Sequence, residues 1–168
     1  MTWLEPSELS DCFRTWSAAM VLYARQWLDQ AAAEDAVQDV FLALVSHHRR
    51  PVNLRAYLFR SVRNAAISRT RSLSRRQSHE QRAAVDRPGW FQARPDDLID
   101  ARAAQDALTR LPDQQRELLI LKIWGGLTFD EIGTVTNDPT STLFSRYKSA
   151  LASLRRMMED RPCETTNP

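Results

Sequence analysis

Ten arginines and a single acid, Glu80, fall between residues 46 and 82, a net of +9 over 37 residues. A block of that sign and density sits most comfortably beside a polyanion. Every base in it is Arg, whose planar fork suits bidentate phosphate contacts and stacking on bases. An ordinary solvated helix face mixes signs, and balancing acids are nearly absent here. The rest of the chain does not share the bias: residues 1–45 carry a net of −5, 83–113 a net of −2 and 114–168 a net of 0, within a whole-chain charge of +2. Residues that could do catalysis are scarce. All three histidines, His47, His48 and His79, lie in the basic block. His47 and His48 are adjacent, so they cannot share one helix face, and no nearby Cys or carboxylate completes a ligand set. They read as loop residues. No catalytic group, metal or cofactor is expected. Cys12 and Cys163 lack a metal-type spacing and read as reduced thiols of a cytoplasmic protein.

The elements that must carry the basic block are helices. With 168 residues, 43% hydrophobic and 26% charged and only 4 Gly, the chain reads as one or two small soluble helical domains. No apolar run reaches 18 residues, so no membrane insertion is expected, and Met1-Thr2-Trp3-Leu4-Glu5-Pro6 has no signal-peptide pattern. Leu9, Cys12, Phe13, Trp16, Met20, Tyr23 and Trp27 follow one helical stripe, with Ser7 or Ser10 as its cap. A second helix is predicted from about Ala33 to Val45, with Val37, Val40, Phe41 and Leu44 inward. Pro51 then stops propagation, and a third helix runs from about Asn53 to Arg71 or beyond, with Leu54, Leu58, Val62 and Ala65 inward. From about Ser72 to Asp97 the chain turns polar and reads as a linker. Inside it Pro88-Gly89-Trp90-Phe91 either docks on a flanking domain or anchors a partner.

A second helical cluster follows. Leu98, Ala101, Ala104, Leu108 and Leu111 form one stripe, and Leu118, Leu121 and Trp124 begin another that Gly125-Gly126 ends. Thr128-Phe129-Asp130-Glu131 is a capping box. The short helix it starts buries Phe129, Ile132 and Val135. Asn137 tolerates positive φ in the next turn, Asp138 caps the last helix, and Pro139 takes its first position. That helix turns Leu143, Tyr147, Ala150, Leu151 and Leu154 inward. Two helices joined by a short turn, the second with an exposed polar face, have helix-turn-helix geometry. The exposed face holds Ser141, Thr142, Ser145, Arg146, Lys148 and Ser149, which suit phosphate and base-edge contacts in a major groove. Phe144, at its edge, either packs on its own helix or touches a thymine methyl. The fold class is all-α: two small helical domains joined by a flexible linker, the C-terminal one a helix-turn-helix.

Three stretches carry a family resemblance. Ala33-Glu34-Asp35-Ala36-Val37-Gln38-Asp39-Val40-Phe41-Leu42 resembles the polymerase-binding helix of sigma factors. Leu54-Arg55-Ala56-Tyr57-Leu58-Phe59-Arg60-Ser61-Val62-Arg63-Asn64 looks like the promoter-melting helix that follows it. Leu111 to Gly133, running on to Arg146, is similar to the family's C-terminal helix-turn-helix. Together they resemble the bacterial RNA polymerase sigma factors of the extracytoplasmic-function group. The resemblance implies a region 2-like domain over residues 1–75, a linker over 76–97, a region 4-like domain over 98–160 and a tail over 161–168. It implies core RNA polymerase and promoter DNA, duplex and melted, as partners, with an anti-sigma factor as a further one. It implies neither an enzyme nor a small-molecule substrate.

The implied roles can be set on residues. Asp35, Gln38, Asp39 and Leu42 share one side of the second helix, and an exposed Leu ringed by acids is a reasonable docking face for a basic polymerase surface. Arg60, Arg63, Asn64, Ile67 and Arg71 project away from the apolar stripe of the third. The arginines would hold single-strand phosphates, and Asn64 matches the family's base-reading Asn. Ser141, Thr142, Phe144, Ser145, Arg146, Lys148 and Ser149 would read the −35 duplex. The sequence departs from the family pattern in the Arg- and Pro-rich loop Ser46 to Val52, at Tyr57 and Ser68, in Asn137-Asp138-Pro139 and at Phe144, so no promoter sequence carries over. Two other functions compete. A helix-turn-helix regulator acting without polymerase would bind duplex tightly by itself. A DNA-processing enzyme with such a tail would need a nucleophile on a Gly-rich α/β domain, a pattern this chain lacks.

Overall fold

A computed structural model of the chain describes residues 4–77 and 106–159. Most of the expected linker with Pro88-Gly89-Trp90-Phe91, the stripe positions Leu98, Ala101 and Ala104, and the tail with Cys163 lie outside the described residues. Among those described, every regular element is a helix.

Helix α1 spans Pro6–Ala24. Pro6 at the start has its φ pre-set and no N–H to satisfy. The extended residue before it is Glu5, so neither Ser7 nor Ser10 caps the helix. Helix α2, Gln30–Val45, begins three residues before the predicted start because the Asp29 carboxylate accepts the Ala32 N–H at 2.8 Å. Helix α3, Leu54–Gln77, opens in the same way, with the Asn53 side-chain oxygen accepting from the Ala56 N–H at 2.9 Å. The stripes meet, except that Phe13 is 44% exposed and Leu54 and Ala65 are only half-buried. Met20, Tyr23, Val37, Leu44, Leu58, Phe59 and Val62 are all within 1% of full burial. Each such apolar side chain contributes roughly 1.5–3 kcal/mol to holding the three helices together.

The C-terminal half starts with a helical stretch, α4, at 106–110, and continues after Pro112 into α5, Asp113–Leu119. Here the structure differs from the expected regular helix. The chain widens into a π-helical turn, Ile120–Trp124. The Gly125 N–H donates to the Ile120 carbonyl at 3.0 Å and the Leu127 N–H to the Leu121 carbonyl at 3.1 Å. The two glycines make this exit possible. A Cβ on Gly125 would stand 2.6 Å from the Leu121 carbonyl oxygen, and Gly126 has φ +64°.

Helix α6, Phe129–Thr136, carries the expected capping box. The Thr128 hydroxyl accepts from the Glu131 N–H at 3.2 Å, and the Glu131 carboxylate accepts from the Thr128 N–H at 2.7 Å. Asn137 ends α6 in the left-handed region at φ 64°, as expected. Helix α7, Thr140–Glu159, starts one residue later than expected, with the Pro139 carbonyl accepting from Leu143 at 3.1 Å. The Asp138 carboxylate is held by the Arg146 guanidinium at 2.8 Å. Leu143 and Ala150 are buried, while Leu151 is 38% exposed against expectation. Ala150 and Leu154 hold the inward line, and Leu151 lies about 100° round the helix from Ala150.

The sequence left the arrangement of the two halves open, and the structure packs them together. Helix α3 lies on α6, and α1 lies on the π turn. Leu118, Ile120, Leu121, Leu127 and Ile132 join the apolar cluster of α1–α3. A smaller cluster of Leu108, Leu111, Leu119 and Ala150 sits under α7.

Candidate functional site

Three surfaces carry the expected site residues. On α2, Asp35, Gln38, Asp39 and Leu42 are all exposed, Leu42 by 67%. The opposite side of the helix is anchored by Val37, Val40, Phe41 and Leu44, so the orientation of this face is fixed by packing. Beside Leu42 runs an apolar groove of about 390 Å³ between α1 and α2, lined by Leu9, Phe13, Phe41 and Val45. The Phe13 ring stands edge-on to Phe41 at 5.0 Å. Asp39 is tied back by the Arg69 guanidinium of α3, which also donates to the Ala32 carbonyl at 3.0 Å. Asp35 and Asp39 are therefore unequal: one stands out on the face and the other is braced across to α3.

On α3, Arg60, Asn64 and Arg71 are exposed and Ile67 is half-buried. Arg63 departs from the expected open face. It is half-buried, and its Nε donates to Glu117 of α5 at 2.7 Å. Glu117 is itself 8% exposed and accepts the Tyr23 hydroxyl at 2.6 Å. Burial pushes the Tyr23 phenol well above its usual range, and the neighbouring Glu117 charge pushes the same way. Burial works against the Arg63 charge, but the Glu117 carboxylate outweighs it and raises the guanidinium pKa.

A second polar junction lies at the N-terminus of α3. Glu131 accepts from the Asn53 amide at 2.8 Å and from Arg55 at 3.0 and 2.9 Å, one bond to each oxygen. Its side chain is 11% exposed and that of Arg55 is 30% exposed. Burial alone would raise the Glu131 carboxyl. Hydrogen bonds from Asn53, the Thr128 N–H and Arg55, with the Arg55 charge, lower it instead from 4.5 to about 2. In the adjoining loop, His47 lies against the Tyr57 ring at 5.4 Å.

On α7, Ser141, Thr142, Ser145, Lys148 and Ser149 are exposed. Phe144 is 49% exposed, and its other side meets Phe129 edge-on at 5.7 Å, while the Lys148 ammonium sits 4.8 Å above the ring. Both readings of Phe144 are thus geometrically open at once: it packs on its own domain and still shows half its surface. The Ser145 hydroxyl donates back to the Thr142 carbonyl at 3.1 Å. Arg146 is half-buried on Asp138, so it braces the turn between α6 and α7, and Lys148 is the outward base of this face.

Sequence reading missed Tyr23, Asn53, Arg55, Glu117 and Glu131 as a set of contacts between the halves. The one available signal was Glu117 itself, an acid next to the apolar run Leu118 to Leu121. Among the described residues, no group of three or more His, Cys, Asp or Glu could hold a metal ion, and no helix is long and apolar enough to cross a membrane.

Both halves of the chain match known protein families. Residues 12–76 match sigma-70 region 2, and residues 101–154 match sigma-70, region 4. The chain is 27% identical over 153 residues to the ECF RNA polymerase sigma factor SigK of Mycobacterium sp. (strain KMS), covering 86% of this chain and 79% of that protein. It is 33% identical over 96 residues to the ECF RNA polymerase sigma factor ShbA of Streptomyces griseus, covering 47% of this chain and 50% of the other. Its fold is similar to the sigma factor RpoE solved in complex with the anti-sigma factor NepR from Bartonella quintana, with a TM-score of 0.70 at 23% identity over 90% of this chain and 97% of that one. It is also similar to CnrH in complex with the cytosolic domain of CnrY, with a TM-score of 0.62 at 21% identity over 94% and 92%. With region 2 falling on the acidic and arginine-bearing helices and region 4 on the helix-turn-helix, the chain belongs to the sigma-70 family, as an RNA polymerase sigma factor of the extracytoplasmic-function group.

Proposed function

We propose that this sigma factor divides promoter recognition between its two halves and uses binding energy alone, with no catalytic side chain, in the cytoplasm. As a sigma factor it binds core RNA polymerase and directs promoter-specific initiation. In the proposed division, residues 1–75 dock on polymerase and open the −10 element, residues 76–97 link, and residues 98–160 read the −35 duplex. Asp35, Gln38, Asp39 and Leu42 meet a basic polymerase surface, with the groove beside Leu42 taking an apolar side chain. Arg60, Arg63 and Arg71 hold the phosphates of the melted strand, while Asn64 and Ile67 meet its unstacked bases. Ser141, Thr142, Phe144, Ser145, Lys148 and Ser149 face the −35 groove, with Arg146 holding the turn. Strand capture favours the open over the paired form, so melting follows as a population shift and needs no ATP.

The observation that carries this reading is the outward set on α3, where exposed Arg60, Asn64 and Arg71 share one helix whose other side is locked into the core by Leu58 and Val62. An anti-sigma protein, the class of partner bound to RpoE in its solved complex, would inhibit by covering the same faces. The test is transcription in vitro with core polymerase and a fragmented genomic library, sequencing the start sites. A shared −35/−10 pair upstream of the starts is expected. Tight duplex binding by the chain alone, with no polymerase-dependent starts, would instead favour a free-standing helix-turn-helix regulator.

A further inference from the structure

Base discrimination in a major groove needs a side chain that only one base pair satisfies. Over residues 140–149 of α7 the exposed side chains are five hydroxyls, Thr140, Ser141, Thr142, Ser145 and Ser149, together with Lys148 and Phe144. A hydroxyl both donates and accepts, so it fits any base pair and tells little between them. The usual bidentate readers, Arg, Asn and Gln, are missing from that exposed set. The one arginine of the stretch, Arg146, is half-buried and engaged by the Asp138 carboxylate at 2.8 Å. Lys148 holds its ammonium 4.8 Å above the Phe144 ring, and a flexible point charge suits a phosphate better than a base edge. That leaves Phe144, the one exposed apolar side chain of the stretch, with 49% of its surface open. Its ring is not loose. Phe129, the first residue of α6, meets it edge-on at 5.7 Å, and Tyr147 meets Phe129 edge-on at 5.5 Å. Phe129 follows Thr128 directly, so the capping box fixes its backbone. A ring already held by its own domain gives up little freedom when it makes a further contact.

The base edges of the major groove offer apolar surface in one place, the C5 methyl of thymine. We infer that Phe144 reads a C5-methyl pyrimidine in the −35 duplex, and that the base preference of α7 rests on this contact while the hydroxyls and Lys148 set its register on the backbone. The inference rests on the proposed role of α7 at the −35 element and deepens it by naming the group that is read. Duplex DNA presents the same methyl from two bases, thymine and 5-methylcytosine. The ring therefore accepts a methylated C·G pair where it rejects a plain one.

The test uses the holoenzyme, core RNA polymerase with the full chain, on a promoter recovered from the genomic library. Each thymine of the −35 element, on either strand, is replaced singly by deoxyuridine, which removes the methyl and leaves the pairing unchanged. The readout is the holoenzyme concentration that gives half-maximal abortive initiation. Replacement at one thymine, or at two adjacent ones, should raise that concentration about fourfold, the worth of one buried methyl. A cytosine placed at that thymine, with guanine opposite, should weaken the promoter, and 5-methylcytosine in its place should recover about the same factor. Phe144→Ala should weaken the promoter and make the thymine and deoxyuridine templates equal. Because the deoxyuridine series is read on the wild-type chain, it decides the matter even where Phe144→Ala does not fold. A −35 element without thymine, a deoxyuridine series that changes nothing, a 5-methylcytosine that recovers nothing, or a methyl effect that survives Phe144→Ala would each overturn the inference. Failure of the wild-type holoenzyme to initiate on the unmodified promoter would overturn the proposed function instead, which keeps the two failures apart.

Discussion

Glu131 should make the packed state acid-labile, and the size of the effect follows from its surroundings. Its carboxyl titrates at about 2 in the folded chain against 4.5 when free, after Asn53, Thr128 and Arg55 overcome the cost of burial. At about 1.36 kcal/mol per unit, the ceiling is about 3.4 kcal/mol. Arg55 keeps 30% of its side chain in solvent, so screening reduces this, and about 2 kcal/mol is the working figure. Because the folded value lies below the free one, the contribution is fully present above pH 4.5 and is lost as the pH falls from there toward 2. Glu131→Gln mimics the protonated form. Gln can still close the capping box on Thr128, so the loss falls chiefly on the Arg55 pair. Urea unfolding at pH 7 should show the variant about 2 kcal/mol less stable, with the gap to wild type narrowing to less than half by about pH 2.5 and closing below about pH 2. Arg55→Met, combined with Glu131→Gln in a double-mutant cycle, should return a coupling of about 1–2 kcal/mol. A gap of the same size at both pH values, or a coupling near zero, would show that the Glu131 pair with Arg55 does not hold the halves together.

Arg60→Ala with Arg63→Ala should impair open-complex formation, read by permanganate reactivity of the melted strand, while polymerase affinity stays within about twofold; loss of polymerase binding would overturn the assignment of the α3 face. Asp35→Arg with Asp39→Arg should weaken core polymerase binding in a pull-down titration, and because Asp39 also braces Arg69, Asp35→Arg alone should account for most of the effect. Lys148→Ala should reduce −35-dependent transcription and flatten its salt dependence by about one phosphate contact's worth, a slope change of about 0.9, whereas Arg146→Ala should lower thermal stability more than it alters that slope. Gly125→Ala should cost about 1–3 kcal/mol in urea unfolding, since its Cβ would meet the Leu121 carbonyl oxygen at 2.6 Å and the Leu127 Cδ1 at 2.7 Å.

What the sequence made legible is what short-range physics decides. The capping box at Thr128, the positive φ at Asn137 and the inward stripe of α2 each follow from neighbours within a turn or two of helix, and each is present. The misses have a different origin. The start of α2 moved to Asp29 because a side-chain cap is a three-residue matter that apolar periodicity does not register. The π turn at Ile120–Trp124 escaped because it is closed by bonds from the Gly125 N–H to Ile120 and from the Leu127 N–H to Leu121, which apolar periodicity does not register. Of the site residues, Arg60, Asn64 and Lys148 stand where helical spacing puts them, whereas Arg63 and Arg146 have acquired acids that periodicity cannot pair with them, from 54 and 8 residues away.

Two kinds of contact hold the halves together in this structure. The apolar part, where Leu118, Ile120 and Leu121 reach the core of α1–α3, gives affinity without direction. The polar part, Glu117 and Glu131, fixes one register and engages Arg63, while Arg60, Asn64 and Arg71 stay exposed. Holding a chain closed by 99 to 1 reduces its apparent affinity for a partner that needs it open about a hundredfold, or about 2.7 kcal/mol. Against a nanomolar complex, worth about 12 kcal/mol, a closed state of that strength lowers affinity without preventing engagement. The same sum shows why partial burial matters. Were the Arg63 pair fully sealed from water, breaking it would cost about 3–5 kcal/mol, and a matching loss at Glu131 would consume most of what polymerase binding supplies. With the Arg63 side chain 26% and the Arg55 side chain 30% exposed, water can reach both guanidinium groups as the halves part.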